Sequence, residues 1–309
     1  MVRPNNKQVL DMTERMTVAD LVTAYQLTIN WDRLADNSKR SYGLLISDAM
    51  NVAVTRGVVG SLLVASITPK EADEMYLTLL REKGAHRAAH VIKVIRRVWN
   101  VGFRLGLTVS NPFAKMGIGK LPDRETLWDA SEVTSFINTA DAMGVPSMGH
   151  LALMCYHLCQ RVGDMRKLRW GDLDRSFAVF TQEKTGKAMK IPLTRPLQAR
   201  FDRISRSLSG STPEIIISEK TNKPYDQYYY NKVAKRVMEA ANLPSTHQLR
   251  DLRRSGATEM AEAGCTEDEL RAITGHSSRD MLSIYVRPTQ KLATAGMEKR
   301  FGSMEAIAC

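Results

Sequence analysis

Between Gly149 and Gln160 the chain reads GHLALMCYHLCQ, a run without a single Asp, Glu, Lys or Arg. A helix that is apolar all round has no face to offer to water and has to be enclosed by other elements. The run therefore predicts a buried helix, and its end delivers Arg161 into RVGDMRKLRWGDLD. That arginine has two readings. It is a surface residue on the next turn, or a guanidinium held rigidly at a cleft with Asp164, three positions on, orienting the turn. Spacing alone leaves the two level.

The first third is organised differently. Thr17 to Asp20 (TVAD) opens a helix with a hydroxyl cap and an acid three residues on, and Leu21, Tyr25 and Leu27 give it some apolar spacing. A second helix is expected over DNSKRSYGLLISDAMNVAV. A third is capped by Thr68, carries Pro69 where a missing N–H costs nothing, and ends at Gly84. The next, from Ala85 to Leu105, is the most informative. At 100° per residue, Ala88, Val91, Ile92, Ile95, Val98, Trp99 and Phe103 share a sector of about 140°. Arg87, His90, Lys93, Arg97 and Arg104 fall on the other side. Between Arg81 and Lys120 there are nine Lys/Arg and one acid, Glu82. A basic stripe is often a solvated face, but with so few acids interleaved DNA contact is the better account. Arg87, Lys93, Arg97, Arg104, Lys115 and Lys120 are the candidate DNA-binding residues. Asn111-Pro112 halts the helix, and FAKMGIGKLPDRE then reads as a linker.

A chain of 309 residues allows two domains of ordinary size, and 43% hydrophobic with 25% charged residues fits a soluble globular protein. The net charge of +11 favours a polyanionic partner. MVRPNNKQVLDMTER holds no apolar run of signal-peptide type, and no stretch approaches the roughly 20 apolar residues that span a bilayer. The expectation is a cytoplasmic protein with no membrane partner. Cys155 and Cys159 lie one helical turn apart in the apolar run, where core packing is their expected role, and no ligand partners follow at zinc-site spacing.

Beyond the apolar run, SFAVFTQEKTGKAMKIPL places two alternating segments around Lys184-Thr185-Gly186-Lys187 and reads as a β-hairpin with Lys184 at its mouth. Before the run, ASEVTSFINTADAMG is a capped helix beginning at Ser131. Leu193 to Leu208 and Asp226 to Ala241 look helical, and Glu214 to Ser218 (EIIIS) a short buried strand. In the second of those helices Tyr228, Tyr229 and Tyr230 precede Lys232, Lys235 and Arg236, which suits either a nucleic-acid contact or an ordinary amphipathic helix.

Four pieces in this order make the chain resemble a tyrosine recombinase of the phage integrase family. They are Arg161 with Asp164, Leu168 and Trp170; the hairpin Lys184 in EKTGK, followed by IPL at Ile191 to Leu193; LRRSGATEMAEAG from Leu252 to Gly264; and TGHSS with Tyr285 nine residues beyond His276. One departure concerns the family's His-x-x-Arg box. His247-Gln248-Leu249-Arg250 matches that string literally, but the LRRSGAT run and its distance to Gly275-His276 place the family arginine at Arg253. Arg250 then stands where the histidine normally does. It can donate hydrogen bonds to a phosphate oxygen but cannot titrate.

The resemblance implies a mainly α protein with a small antiparallel β-sheet, arranged as a C-shaped clamp on DNA. Residues 1–16 would be a flexible amino terminus, 17–114 a helical core-DNA-binding domain, 115–125 a linker, and 126–309 a mixed α/β catalytic domain with a tail at 288–309. That layout leaves little room for a separate arm-type DNA-binding domain. The resemblance further implies Tyr285 as the nucleophile that forms a 3′-phosphotyrosyl link. Arg161 and Arg253 would clamp the non-bridging oxygens, Arg250 and His276 would donate further hydrogen bonds, and Lys184 would protonate the departing 5′-oxygen. Neither metal, cofactor nor ATP is expected. The partners would be double-stranded DNA and a homotetramer on two duplexes, with accessory DNA-bending proteins left open. Integration or excision of a phage or mobile element is the expected role. A Xer-like resolvase of dimers and a catalytically inactive regulator of the same fold are the alternatives.

Overall fold

The computed structural model describes residues 15–119, 121–122, 124–174, 176–207, 213–226, 228–278, 280–282 and 290–301. The chain divides into two compact units, residues up to 123 and residues from 124 onward. The first unit is helical. Its elements are α1 (Val18–Gln26), α2 (Ile29–Asp32), α3 (Asp36–Met50), a two-residue hairpin of β1 (Ala53–Val54) and β2 (Gly57–Val58), α4 (Pro69–Lys83) and α5 (Ala85–Arg104). The capping signals act as read: Thr17 and Asp20 close a capping box on α1, and Thr68 and Glu71 close another on α4. Helix α3 stops at Met50, earlier than expected. The β-branched Val52 and Val54 turn inward instead, while Gly57, at φ +126°, makes the hairpin.

Helix α5 is the spine of this unit and packs against α1, α3 and α4. Its buried face is wider than the sequence sector, since Val94, Val101 and Gly102 are also inside. Phe103 is not; it lies at the edge of the arc in the last turn and is 56% exposed. Gly102 explains the closeness there, because a Cβ on it would sit 2.6 Å from Leu21 Cδ1 of α1. Leu27, beyond the end of α1, faces water. The helix ends at Arg104, before Asn111-Pro112 is reached, because Gly106 takes the left-handed conformation at φ +74°.

The second unit is built around the apolar run. It forms α7 (Pro146–His157), which is enclosed by α6 (Ala130–Ala142), α8 (Val162–Arg166), α9 (Arg195–Ser207), α10 (Tyr229–Ala240) and α11 (Asp251–Glu262). Helix α6 is capped by Asp129 with Glu132, two residues ahead of the expected Ser131. Cys155 and Cys159 are core residues, and burial pushes the Cys159 thiol up to about 12. A three-stranded antiparallel sheet joins β3 (Leu173–Asp174), β4 (Phe177–Thr181) and β5 (Ala188–Pro192), with Phe177 opposite Pro192 and Thr181 opposite Ala188. Ala178, Met189 and Ile191 point into the core. The EIIIS segment is buried but is no ladder strand. Its pairing is confined to isolated bridges, Arg169 with Glu214 and Ile217 with Pro224, so its partner changes within three residues. Helices α12 (Glu267–Thr274) and α13 (Gln290–Phe301) follow, the latter within the expected tail. Among the described residues no helix is long and apolar enough to cross a membrane.

Candidate active site

Arg161 reaches its place through a strained turn. Helix α7 ends at His157, and Cys159 adopts φ +51°, a left-handed conformation that non-glycine residues rarely take. Gln160 is then buried and Arg161 caps α8. Asp164 does orient this turn. Its Oδ1 accepts from the Glu183 backbone N–H at 2.9 Å, and its Oδ2 lies 3.9 Å from Arg161 Nη1. The guanidinium is therefore held by the hairpin end and its own helix.

Arg253 projects from the first turn of α11 and is 6% exposed. The helix comes unusually close to α7, since a Cβ at Gly256 would stand 2.1 Å from the Tyr156 carbonyl oxygen. Arg253 Nη2 donates to Thr274 O at 2.8 Å and meets His276 Nε2 at 3.2 Å. His276 follows Gly275, the left-handed cap that ends α12. The Thr274 hydroxyl donates to Leu270 O at 2.7 Å, so it has only a lone pair for His276 Nδ1, also at 2.7 Å. Nδ1 therefore carries the proton, and Nε2 is the acceptor facing Arg253. Burial, and then the charges of Arg253, Arg161 and Lys187, depress the imidazole to about 4. The ring is neutral at pH 7.

Arg161, Arg253 and His276 thus come together, although they are drawn from α8, α11 and the turn after α12. Lys184 stands exposed on the turn between β4 and β5. Arg250 is exposed at the start of α11, where it lines a cavity of about 640 Å³ with Tyr230, Met238 and Gln248. His247, the literal match to the histidine box, borders the same cavity but turns its ring away into the fold. It is buried, its Nε2 lies 3.0 Å from Glu132 Oε2, and its ring packs on Trp128 with centroids 4.9 Å apart. Tyr285 lies outside the described residues, as does Lys120.

The remaining basic candidates belong to the first unit. Lys93, Arg97 and Arg104 are exposed on α5, within about 40° of one another at 100° per residue. Arg104 also donates to Asn30 Oδ1 at 3.4 Å, and Lys115 is exposed beyond the helix. Arg87 falls about 80° or more off that stripe and binds Asp48 of α3 at 2.6 Å, which makes it a packing contact between helices.

Sequence reasoning missed two features of the site. Arg124, within the stretch read as linker, forms a two-pronged ion pair with the buried Asp251 through Nε–Oδ1 and Nη2–Oδ2 contacts of 2.7 Å, fastening the start of this unit to α11. Gln182, at the end of β4, is wholly buried and touches Arg161, Gln160, Thr185 and Thr274. The proximity of Gln182 to Lys184 in EKTGK was the only available signal.

The second unit of this mostly helical chain gathers two arginines around a neutral histidine, an arrangement of charge and donors that suits an oxyanion. Residues 127–291, more than half of the chain, match the model described as "Phage integrase family". The chain belongs to that family of enzymes. Among its relatives, the integrase of Escherichia phage HK022 is 22% identical over 285 residues, covering 89% of this chain and 78% of that protein. Tyrosine recombinase XerA of Pyrococcus horikoshii is 25% identical over 154 residues, covering 48% of this chain and 53% of that protein. The solved structure of a lambda integrase tetramer bound to a Holliday junction matches with a TM-score of 0.75 at 19% identity, over 94% of this chain and 83% of that one.

Proposed function

We propose that this site-specific recombinase cuts and rejoins double-stranded DNA through a 3′-phosphotyrosyl link on Tyr285, and that it integrates and excises a phage or mobile element. The observation that carries the reading is the convergence of Arg161, Arg253 and His276. In the reaction the Tyr285 phenol oxygen attacks phosphorus and loses its proton to water, while the P–O5′ bond breaks. Arg161 and Arg253 hold the two non-bridging oxygens as charge builds on them. Arg253 Nη1 suits this task, being buried with no hydrogen-bond partner among the described residues. Lys184 passes a proton to the 5′-oxygen as it leaves. A 5′-hydroxyl from a second strand then reverses the step, and the phosphotyrosyl ester conserves the bond energy. Arg250 supplies a further donor to a phosphate oxygen.

Residues 17–114 act as the core DNA-binding module and 126–309 as the catalytic domain. Four protomers assemble on two duplexes, as in the lambda integrase tetramer on its junction, and the 288–309 tail docks on a neighbour. The extent of the HK022 match, nearly twice the share of this chain that the XerA match covers, favours integration over dimer resolution.

A nicked half-site substrate, which loses its short 5′-hydroxyl fragment after cleavage, tests the reading. Wild-type protein should accumulate a covalent protein–DNA adduct, and Tyr285→Phe should form none. No wild-type adduct on a confirmed target site would leave only the inactive regulator.

A further inference from the structure

Gln182 uses its side-chain amide completely. Oε1 accepts from Thr185 Oγ1 at 2.8 Å and from Arg161 Nη1 at 3.3 Å. Nε2 donates to Gln160 Oε1 at 2.7 Å and to Thr274 O at 3.0 Å. An amide has two acceptor sites and two donor hydrogens, so nothing is left over. The orientation is also unambiguous. A flipped amide would set its NH₂ against the Arg161 guanidinium and its oxygen against the Thr274 carbonyl, two like-for-like clashes.

The four partners belong to different parts of the site. Arg161 is one arm of the proposed clamp. Thr185 adjoins Lys184 on the hairpin turn. Thr274 O also takes the hydrogen bond from Arg253 Nη2, and the Thr274 side chain fixes the His276 ring. Gln160, itself wholly buried, carries the chain onward by donating to Leu158 O and to Ile273 O. The Gln182 backbone closes the hairpin through Gly186 N–H to its carbonyl and through its own N–H to Lys187 O. Space for the amide comes from Gly275, where a Cβ would lie 2.6 Å from Gln182 Nε2.

We infer that Gln182 is the positioning residue that sets the Lys184 turn in register with Arg161 and the Thr274–His276 segment. The inference rests on the roles proposed above for Lys184 and the clamp. A displacement of about 1 Å between groups that act on the same phosphate lowers a rate about 100-fold. Gln182→Met keeps the volume and removes all four hydrogen bonds. It should cut single-turnover cleavage about 100-fold while DNA affinity changes less than about threefold.

A substrate with sulfur in place of the bridging 5′-oxygen separates positioning from general damage. A thiolate leaves without needing a proton, since thiols ionise near 8.5, so the acid becomes dispensable. Lys184→Ala should recover on the sulfur substrate, and Gln182→Met should recover most of its loss with it. If Lys184→Ala recovers and Gln182→Met does not, Gln182 does not position the acid and the inference is overturned. If Lys184→Ala does not recover, the acid role of Lys184 falls first and takes the inference with it. Should Gln182→Met fail to fold, Thr185→Val decides. It deletes one hydroxyl on an exposed turn and should slow cleavage about tenfold, again recovered by sulfur. An unchanged rate in Thr185→Val would overturn the inference.

Discussion

The Arg253 guanidinium is divided between the protein and the proposed substrate. Nη2 is tied to Thr274 O and His276, whereas Nη1 is buried without a partner among the described residues. A buried donor left unmade costs about 1–3 kcal/mol, and a phosphate oxygen in its reach would relieve that cost. Arg253→Ala should therefore lower single-turnover cleavage about 10²–10³-fold. His247→Ala should leave the rate within a few-fold and instead lower stability by about 1–2 kcal/mol, because its partners are Glu132 and Trp128. The opposite ranking in paired cleavage and denaturation measurements would return His247 to the site. Histidines also set an acid limit. His276 is held down to about 4, and His150 to about 3 by burial and then the charge of Arg200. Between pH 6.5 and 4 the unfolded chain binds protons on these rings that the folded chain does not. More protons on the unfolded side means stability rises with pH, so it should fall steadily as pH drops through that window. Urea midpoints measured from pH 7.5 to 4.5 check the sign, and His150→Leu should flatten the slope.

At the scale of elements, what could be read from the chain was whatever depends on neighbours in sequence. Both capping boxes of the first unit, the enclosure of GHLALMCYHLCQ and the EKTGK hairpin are local patterns of period, cap and turn. The misreadings share a cause. EIIIS is apolar enough for a strand, but whether it joins a ladder depends on partners from residues 169 and 224. Phe103 carries the right period, but among the described residues no other element covers it in the last turn of α5. The resemblance to integrases named Arg161, Arg253 and His276, which the fold brings together from distant parts of the chain. Gln182 and Arg124 were not legible in the sequence, since their partners lie up to 127 residues away and neither residue type announces its role. Gly256 belongs with them. The α7–α11 approach leaves no room for a methyl, so Gly256→Ala must push α11, and Arg253 with it, away from Tyr156. The overpacking should cost about 3 kcal/mol, and cleavage by the folded fraction should fall as well. A stability loss below about 1 kcal/mol in a denaturant titration would mean the helices slide apart freely.

For the whole molecule, charge in the first unit is the property that most directly predicts behaviour. Its acid-poor stretch leaves Lys93, Arg97 and Arg104 on one exposed stripe of α5, whereas Arg87 is occupied by Asp48. Two basic residues of the same helix should therefore behave in opposite ways. If the stripe lies along a DNA backbone, each phosphate contact contributes about 0.9 to the slope of log K against log salt. Lys93→Ala and Arg97→Ala should each lower that slope by about 1 and weaken binding to specific and unrelated duplexes alike, and Lys93→Ala should leave the denaturation midpoint in place. Arg87→Ala should leave the slope as it is and destabilise the unit, because it releases Asp48 and unties α3 from α5. Anisotropy titrations over a range of salt concentrations distinguish the two classes. Equal slopes for all three variants would mean that the excess charge of this unit is only a solvated face, and that DNA is held by the second unit alone.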